Sequence, residues 1–172
     1  CMAERLRTED RKIHCAHPDF LAELQRFAAS LSAERPDTLR LIGRRHVRQN
    51  NSWLHNSPRL LKGPDRCTLM IHPDDASARG LADGGMASVT SRVNRVEIPV
   101  EVSDDVMPGV VSIPHGFGHG RKGVGLSVAR EKPGVSLNDL TDTEAFDPLS
   151  GNAVLNAVPV TVARVEELVA AE

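Results

Sequence analysis

The stretch that decides the fold is residues 95–102, which read Arg-Val-Glu-Ile-Pro-Val-Glu-Val. Every second residue is Val or Ile, and the residues between them are charged or proline. Side chains of a β-strand point alternately to opposite faces, so this pattern predicts a strand with one buried face. Pro99 has no N–H to donate to a neighbouring strand, which predicts an edge position for it.

Five more short strands are predicted on both sides of this stretch. They cover residues 38–43, 67–71, 86–91, 110–113 and 158–165. A short helix begins at His72-Pro73 and ends near Gly80, and residues 136–141 form a helical turn. Six short strands with so few long crossover helices favour a small mixed barrel over a doubly wound sheet.

The N-terminal segment has a different periodicity. Four large apolar side chains recur there at helical spacing: Phe20, Leu24, Phe27 and Leu31. With Pro18 at the first helical position, they predict an amphipathic helix over residues 18–32. We therefore divide the chain into an N-terminal segment, residues 1–36, and a barrel domain, residues 37–172.

The composition is that of a globular protein. Of the 172 residues, 40% are hydrophobic and 26% are charged, which excludes a wholly disordered chain. No apolar run approaches the roughly 20 residues that cross a bilayer, so we expect no membrane span. Aromatic residues make up only 3%, which argues against modules that stack nucleic-acid bases on aromatic rings.

The cysteines give no metal-binding pattern. Cys1, Cys15 and Cys67 include no C-x-x-C pair, so they form neither a zinc ribbon nor an iron–sulfur motif, and we expect them to be reduced. Charged residues in the first twelve positions leave no apolar core for a signal peptide, so we expect a cytoplasmic location. Because the chain starts with Cys rather than Met, we expect it to be a fragment of a longer protein.

The net charge of −2 hides two basic segments. Residues 40–66 hold seven Lys or Arg and one Asp, a balance of +6, and residues 114–132 hold four Lys or Arg and one Glu, a balance of +3. Residues 44–66, a long polar loop, are called the first basic loop, and residues 114–132, which include the irregular loop 114–125, are called the second basic loop. Such concentrated charge favours an anion-binding site, although a solvated basic face has the same composition.

The first basic loop combines side chains that suit a ligand with phosphate and purine-like parts. Arg44 and Arg45 offer planar forks for phosphate. The Asn and Gln amides match the donor and acceptor edge of a heterocycle. Trp53 is either a ring platform or, more often for a lone Trp in a long loop, an anchor to the core. Asn138 offers a further amide, or it caps the helical turn around it.

Several familiar motifs are rejected. The stretch Gly118-His119-Gly120-Arg121-Lys122-Gly123 matches G-x-G-x-x-G, but no helix can open where the dinucleotide fingerprint needs one. Its glycines still allow the backbone to approach an anion closely. They also prevent His115 and His119 from sharing a helix face as metal ligands, so no metal site is predicted. No G-x-S-x-G or Walker A string occurs, so no catalytic residue is predicted.

Between residues 38 and 165 a series of short motifs follows one order. They are Gly43-Arg44-Arg45, Leu54-His55-Asn56, His72-Pro73-Asp74-Asp75-Ala76, Gly80-Leu81-Ala82-Asp83-Gly84, Met107-Pro108-Gly109-Val110-Val111, His115-Gly116, Asn138-Asp139-Leu140-Thr141 and Asp147-Pro148-Leu149-Ser150-Gly151. This order resembles the C-terminal molybdopterin dinucleotide-binding domain of prokaryotic molybdenum or tungsten oxidoreductases, the formate dehydrogenase, nitrate reductase and dimethyl sulfoxide reductase superfamily.

The resemblance implies a mainly β fold, the double-psi β-barrel, that holds a bis(molybdopterin guanine dinucleotide) cofactor with Mo or W. The positions that match the family's cofactor-binding loops are Arg44, Arg45, His46, Asn51, Ser52, His55, Asn56, His115, Gly116 and Asn138. Where many members carry a Phe-Lys pair, this sequence reads Val154-Leu155-Asn156, which argues against a cofactor contact from this end.

The resemblance also implies partners. The family's catalytic and iron–sulfur domains lie elsewhere in a parent chain, so the isolated chain is expected to be inactive and to lack the cofactor. As a fragment, it would have mobile basic loops with few long-range contacts. The alternative is a free-standing double-psi barrel that binds nucleic acid or a protein partner through the +6 segment. The scarcity of aromatic residues disfavours single-stranded nucleic acid, and we predict no nucleic-acid partner.

Overall fold

The computed structural model describes residues 4–31 and 37–165, which fall into two compact units. The first unit consists of residues 4–31 and 147–152. It contains helix α1, Pro18–Leu31, which confirms the predicted amphipathic helix up to its last described residue. The predicted boundary at residue 36 lies outside the described ranges and stays a prediction.

The second unit, residues 37–146 and 153–165, is a barrel. In the described part of the chain it has six strands: β1 (Leu39–Arg44), β2 (Leu69–Ile71), β3 (Met86–Thr90), β4 (Arg95–Val102), β5 (Val110–Pro114) and β6 (Val158–Arg164). Their order around the closed barrel is β1-β5-β2-β4-β3-β6. All six lie where the sequence predicts them, with ends shifted by one or two residues.

The barrel is mixed. Strand β1 runs parallel to β5, and β2 runs parallel to β4. The other neighbours pair antiparallel: β1 with β6, β2 with β5, β3 with β4, and β3 with β6. This six-stranded mixed barrel, together with the N-terminal helix, confirms the predicted fold class of a double-psi barrel with a helical appendage.

Alternation along the strands builds the core. In β4, Val96, Ile98 and Val100 are buried, whereas Arg95 and Glu97 are exposed. The inward residues of the neighbouring strands join them in one apolar cluster. Burying one such side chain stabilises the fold by about 1.5–3 kcal/mol. The alternating residues that predict the strand therefore also hold it in the barrel.

The predicted edge position of Pro99 is wrong, because the closed barrel has no edge there. The N–H of Val100 points to β3 and donates to the Gly85 carbonyl at 2.8 Å. Since successive N–H directions alternate, the Pro99 nitrogen faces β2. The register with β2 begins only at Leu69 opposite Val100, so the missing donor falls just before that ladder starts.

Short helices connect the strands. They are α2 (Pro58–Leu61), α3 (Pro73–Ala78) and two 3₁₀ helices (Ala129–Glu131 and Leu137–Leu140). The His72 side chain caps α3 by accepting the Asp74 N–H on Nδ1 at 3.2 Å. No helix in the described ranges is both long enough and apolar enough to cross a bilayer.

Candidate functional site

The two basic loops line two clefts at the barrel. The larger cleft has a volume of about 630 Å³, and the smaller cleft has a volume of about 300 Å³. Three of the predicted site residues line the larger cleft: Arg44, Arg45 and His46. Five line the smaller cleft: Asn51, Ser52, His115, Gly116 and Asn138.

Arg44 ends strand β1 and is held by the barrel itself. Its guanidinium donates to the Ser112 carbonyl at 2.5 Å, to the Thr68 carbonyl at 2.9 Å and to Thr68 Oγ1 at 2.6 Å. It also forms an ion pair with Glu101 at 3.4 Å. Burial lowers the pKa of Arg44 from its ordinary value. Arg44 therefore ties β1 to three other parts of the barrel, and most of its donors are used.

Arg45, the next residue, is exposed and lines the same cleft. Its guanidinium makes no hydrogen bond or ion pair with any residue in the described ranges. Burial, with the charge of Arg45, lowers the pKa of His115. Burial, followed by the charges of Arg66, Arg48 and Arg44, lowers the pKa of His46. Both histidines thus sense a positive potential, the field that attracts an anion.

Close contacts at two glycines shape the smaller cleft. Gly116 has a φ of +90°, and a Cβ atom added there would overlap the Asn51 carbonyl oxygen. At Gly43 an added Cβ would overlap the imidazole of His115. The two basic loops therefore approach each other at backbone distance at Gly116, where a side chain would not fit, and the backbone of β1 lies against the His115 imidazole at Gly43. The contact at Gly116 places Asn51 and Ser52 beside His115.

Asn138 lies inside the second 3₁₀ helix and does not cap it. The N-cap position is Ser136, and it makes no side-chain capping bond. The capping alternative for Asn138 is therefore wrong. Its carbonyl accepts the Thr141 hydroxyl at 2.9 Å, whereas its amide has no hydrogen-bond partner in the part of the chain that the structure describes. That amide borders the smaller cleft with its donors and acceptor unused.

His55 and Asn56 border neither cleft and have partners elsewhere. The Asn56 side-chain oxygen accepts the N–H groups of Val128 and Ala129 at 3.0 and 3.1 Å, where the first 3₁₀ helix begins. His55 is buried, and its Nδ1 lies 2.8 Å from Nε2 of His119. Both side chains thus make contacts within the fold, and their contact with the cofactor stays a prediction.

Two further expectations about the loops are wrong. Trp53 does not anchor the first loop to the core, because 83% of its surface is exposed. The loops also do not lack long-range contacts, because the Asn56 and His55 bonds join the first basic loop to the second. Polar groups and close backbone packing, rather than the tryptophan, hold the loops together.

Sequence reasoning missed several residues of the site. Gln49, only 4% exposed, and Asp83 line the larger cleft, and Ser136 lines the smaller one. Asn156 supports the site from behind, since its side-chain oxygen accepts the Gly43 N–H at 2.9 Å. An amide in a polar loop was the only sequence signal for Gln49. Nothing in the sequence pointed to the pairing of Asn156 with a residue 113 positions earlier.

The closed barrel with two clefts beside its basic loops defines this chain as a small barrel domain with a loop-built site. Comparison with known families gives the same class. Residues 39–159 match the Molydopterin dinucleotide binding domain family. The chain belongs to that family, which confirms the resemblance found in its motif order.

The relatives are much longer proteins. The chain is 32% identical over 108 residues to the dimethyl sulfoxide/trimethylamine N-oxide reductase of Rhodobacter capsulatus, an alignment covering 59% of this chain and 12% of that protein. It is 33% identical over 114 residues to the putative dimethyl sulfoxide reductase chain YnfE of Escherichia coli, covering 66% of this chain and 14% of the relative. The chain thus matches about an eighth of each relative's length.

A solved structure gives the same fold. Acetylene hydratase from Pelobacter acetylenicus superposes with a TM-score of 0.61 at 19% identity. The match covers 94% of this chain and 22% of that protein. At this identity the match speaks to the fold alone.

Proposed function

We propose that this chain is the cofactor-binding domain of a larger molybdenum or tungsten oxidoreductase. In that enzyme its two basic loops hold a bis(molybdopterin guanine dinucleotide) cofactor. The domain positions the pterin and binds its phosphates, and it has no activity by itself. When bound, the metal–pterin group supplies the two-electron or oxygen-atom transfer.

One observation carries this proposal: two basic segments far apart in sequence are brought to two clefts of one barrel. Burial is the main cause of the lowered pKa values of His46 and His115, and the positive field of nearby arginines adds to it at both. A phosphate placed between the clefts would be favoured by the same field. A simple solvated basic face would lack both the clefts and the glycine-dependent packing of Gly116 on Asn51.

The side chains fit the chemistry of a guanine dinucleotide. Arg45 has no hydrogen-bond partner among residues 4–31 and 37–165, and its planar guanidinium suits bidentate binding of phosphate. The amides of Asn51 and Asn138 offer both a donor and an acceptor, as the edge of a guanine base requires. The Gly116 backbone allows close approach of a ligand. Arg44 has a supporting role, because its bonds to the barrel fix the end of β1 from which Arg45 extends.

The remaining parts of the parent protein complete the proposal. The chain matches 12–14% of the two reductases, so we infer that the catalytic and iron–sulfur domains lie in the rest of the parent chain, in the cytoplasm. Residues outside this chain then choose the substrate. In that assembly the exposed first basic loop faces the cofactor and the domains that share it.

Guanosine diphosphate tests the proposal, because it carries the base and the phosphates of one half of the ligand. Isothermal titration calorimetry with the 172-residue chain at low salt is expected to show one class of site. Arg45→Gln is expected to weaken binding about tenfold, as loss of a charged hydrogen-bond donor does. Arg59→Gln, an exposed arginine of the same loop that borders neither cleft, is the matched control.

The outcomes separate the proposal from its alternative. Binding that falls in Arg45→Gln and not in Arg59→Gln supports a built nucleotide site. Equal losses in the two variants would indicate nonspecific attraction to basic charge. Binding of duplex DNA at ~50 mM salt without binding of guanosine diphosphate would favour the free-standing nucleic-acid module and reject the cofactor site.

A further inference from the structure

A pair of buried histidines joins the two basic loops. His55 of the first loop is 3% exposed, and His119 of the second loop is 7% exposed. Their rings lie nearly perpendicular, with Nδ1 of His55 2.8 Å from Nε2 of His119. The ring of Phe117 packs on His55 with a centroid separation of 4.5 Å. The other hydrogen bonds described above between the loops run from backbone N–H groups to Asn56, whereas this bond joins two titratable side chains.

The second nitrogen of His55, Nε2, is fully buried. It makes no hydrogen bond with any residue that the structure describes. A neutral imidazole tolerates this arrangement, because one ring nitrogen keeps a lone pair and the other keeps a proton. A protonated imidazole has N–H groups on both nitrogens, and it would place a charge and a further N–H donor in a buried site. The adjoining cavity of about 10 Å³ has room for one water molecule at most.

We propose that His55 and His119 are positioning residues whose hydrogen bond, here called the clasp, holds the two basic loops together while His55 is neutral. Protonation of His55 breaks this bond and opens the clasp. The clasp follows from the geometry alone. Its consequence for ligand affinity rests on the proposed function, because the loops that it joins are those that line the clefts.

The direction of the pH effect follows from the surroundings of His55. Burial, followed by the charge of His119, lowers the pKa of His55 to about 4. An open loop would give His55 a pKa near 6.5, so the closed form binds the proton more weakly. The clasp is therefore at full strength above pH 6.5 and weakens as the pH falls from 6.5 toward 4. At pH 5 the shift toward the open form is roughly tenfold or more.

Charged groups surround the pair on several sides. Those that line the small cavity beside His55 are Arg48, Asp65, Arg66 and Lys132. His115 lines the smaller cleft together with His119. Three of the four groups beside His55 are cations, which also disfavour a charged imidazole. Protonation of His46 and His115 adds positive charge beside the clefts, so by itself it would strengthen anion binding at low pH, opposite to the effect of the clasp.

Two conservative substitutions separate hydrogen bonding from titration. Asn places its amide near the Nδ1 position of His, and Gln places its amide near the Nε2 position. The double variant His55→Asn/His119→Gln therefore keeps a donor–acceptor pair between the loops but cannot be protonated. His72→Asn is the matched control, because an Asn side chain also caps the helix that His72 caps.

Trp53 gives a direct readout, because it is the single tryptophan and lies two residues from His55. The parent chain and His72→Asn are expected to change Trp53 fluorescence with a midpoint between pH 6.5 and 4, while the barrel amide signals in NMR spectra stay unchanged. The double variant is expected to show no such transition. An identical transition in the double variant, or protonation of His55 near pH 6.5 without a fluorescence change, would overturn the clasp.

Guanosine diphosphate affinity then separates the two proposals. From pH 7.5 to pH 5, affinity is expected to fall roughly tenfold in the parent chain and less than twofold in the double variant. Titration of the nucleotide itself is common to both proteins and cancels in the comparison. Absence of binding at pH 7.5, with the fluorescence results as expected, would reject the proposed function and leave the clasp supported. Equal pH dependence of affinity in both proteins would reject the clasp as a control of binding.

Discussion

The barrel and the first basic loop meet at Arg44 and Arg45. These two residues are neighbours in sequence and line the same cleft, but they differ in their hydrogen bonds. Arg44 belongs to strand β1 and donates to Ser112 and Thr68 of the barrel. Arg45 is the first residue of that loop beyond β1 and has no hydrogen-bond partner in the described ranges. The barrel uses its polar groups to fix its own strands, whereas the loops leave several of theirs unpaired at the clefts. Unpaired donors on a rigid support are what a charged ligand requires.

The two regions are also held by different forces. The barrel core is apolar, with side chains such as Ile98 fully buried between strands. The loops are joined by a few polar bonds, including His55 to His119, and by the packing of Gly116 on Asn51. Damage to the core should therefore unfold the domain, and damage to the loop contacts should separate the clefts while the barrel stays folded. Four substitutions test this difference, from the largest expected effect to the smallest.

Ile98→Ala removes a fully buried side chain from the centre of β4. The cavity and the lost burial are expected to lower the free energy of unfolding by about 4 kcal/mol. Urea unfolding followed by circular dichroism measures this loss. Val93→Ala, at a turn residue that is 42% exposed, should change stability by less than about 0.5 kcal/mol. Similar losses in both variants would mean that the alternating core does not dominate the stability.

Gly116→Ala tests the backbone contact between the loops. The added Cβ meets the Asn51 carbonyl at a φ of +90°, so we expect a loss of about 3 kcal/mol and displacement of the first loop. Gly123→Ala is the matched control, because Gly123 has a φ of +92° and nothing lies within 4 Å of its Cβ position. It should cost only about 1 kcal/mol. Equal costs would show that the strain of the positive φ, rather than the contact, makes Gly116 necessary.

Arg44→Met breaks the bonds that tie β1 to its neighbours. Ser112 and Thr68 lose a charged donor, and we expect the free energy of unfolding to fall by about 2 kcal/mol. Arg45→Met should alter stability by less than about 0.5 kcal/mol, since the side chain is exposed and makes no hydrogen bond or ion pair with the described residues. Guanosine diphosphate affinity should respond in the opposite way, with the larger loss in Arg45→Met. A stability loss as large in Arg45→Met would contradict the contrast between the two residues.

The same contrast explains how much the sequence could predict. Strand β4 and helix α1 follow from local periodicity, because alternate residues of a strand and every third or fourth residue of a helix share one face. The closing of the sheet, which removes the edge predicted for Pro99, depends on strands far apart in the chain. No local pattern carries that information; the double-psi β-barrel was implied by the resemblance to a family, and the order of its strands was not predicted.

The site shows the same limit more sharply. Charge counting found both basic loops, because the total charge of a segment is local information. It could not tell Arg44 from Arg45, because their roles depend on Ser112 and Thr68, which other strands bring to the end of β1. The pairing of His55 with His119 crosses 64 positions, and the bond of Asn56 to Ala129 crosses 73. Such partners are visible only in the folded chain.

Asn56 therefore offers the finest test, because its position in the family motif and its position in the structure suggest different roles. Asn56→Ala removes the acceptor for the Val128 and Ala129 N–H groups, so we expect a loss of about 1 kcal/mol, as for other helix caps. Asn56→Ser keeps a side-chain oxygen at the cap and should recover most of that stability. If Asn56 acts only as a cap, Asn56→Ser should also bind guanosine diphosphate as the parent chain does. Recovered stability with weakened binding would support the predicted ligand contact of Asn56, since the loss of binding could then no longer be assigned to the loop contact.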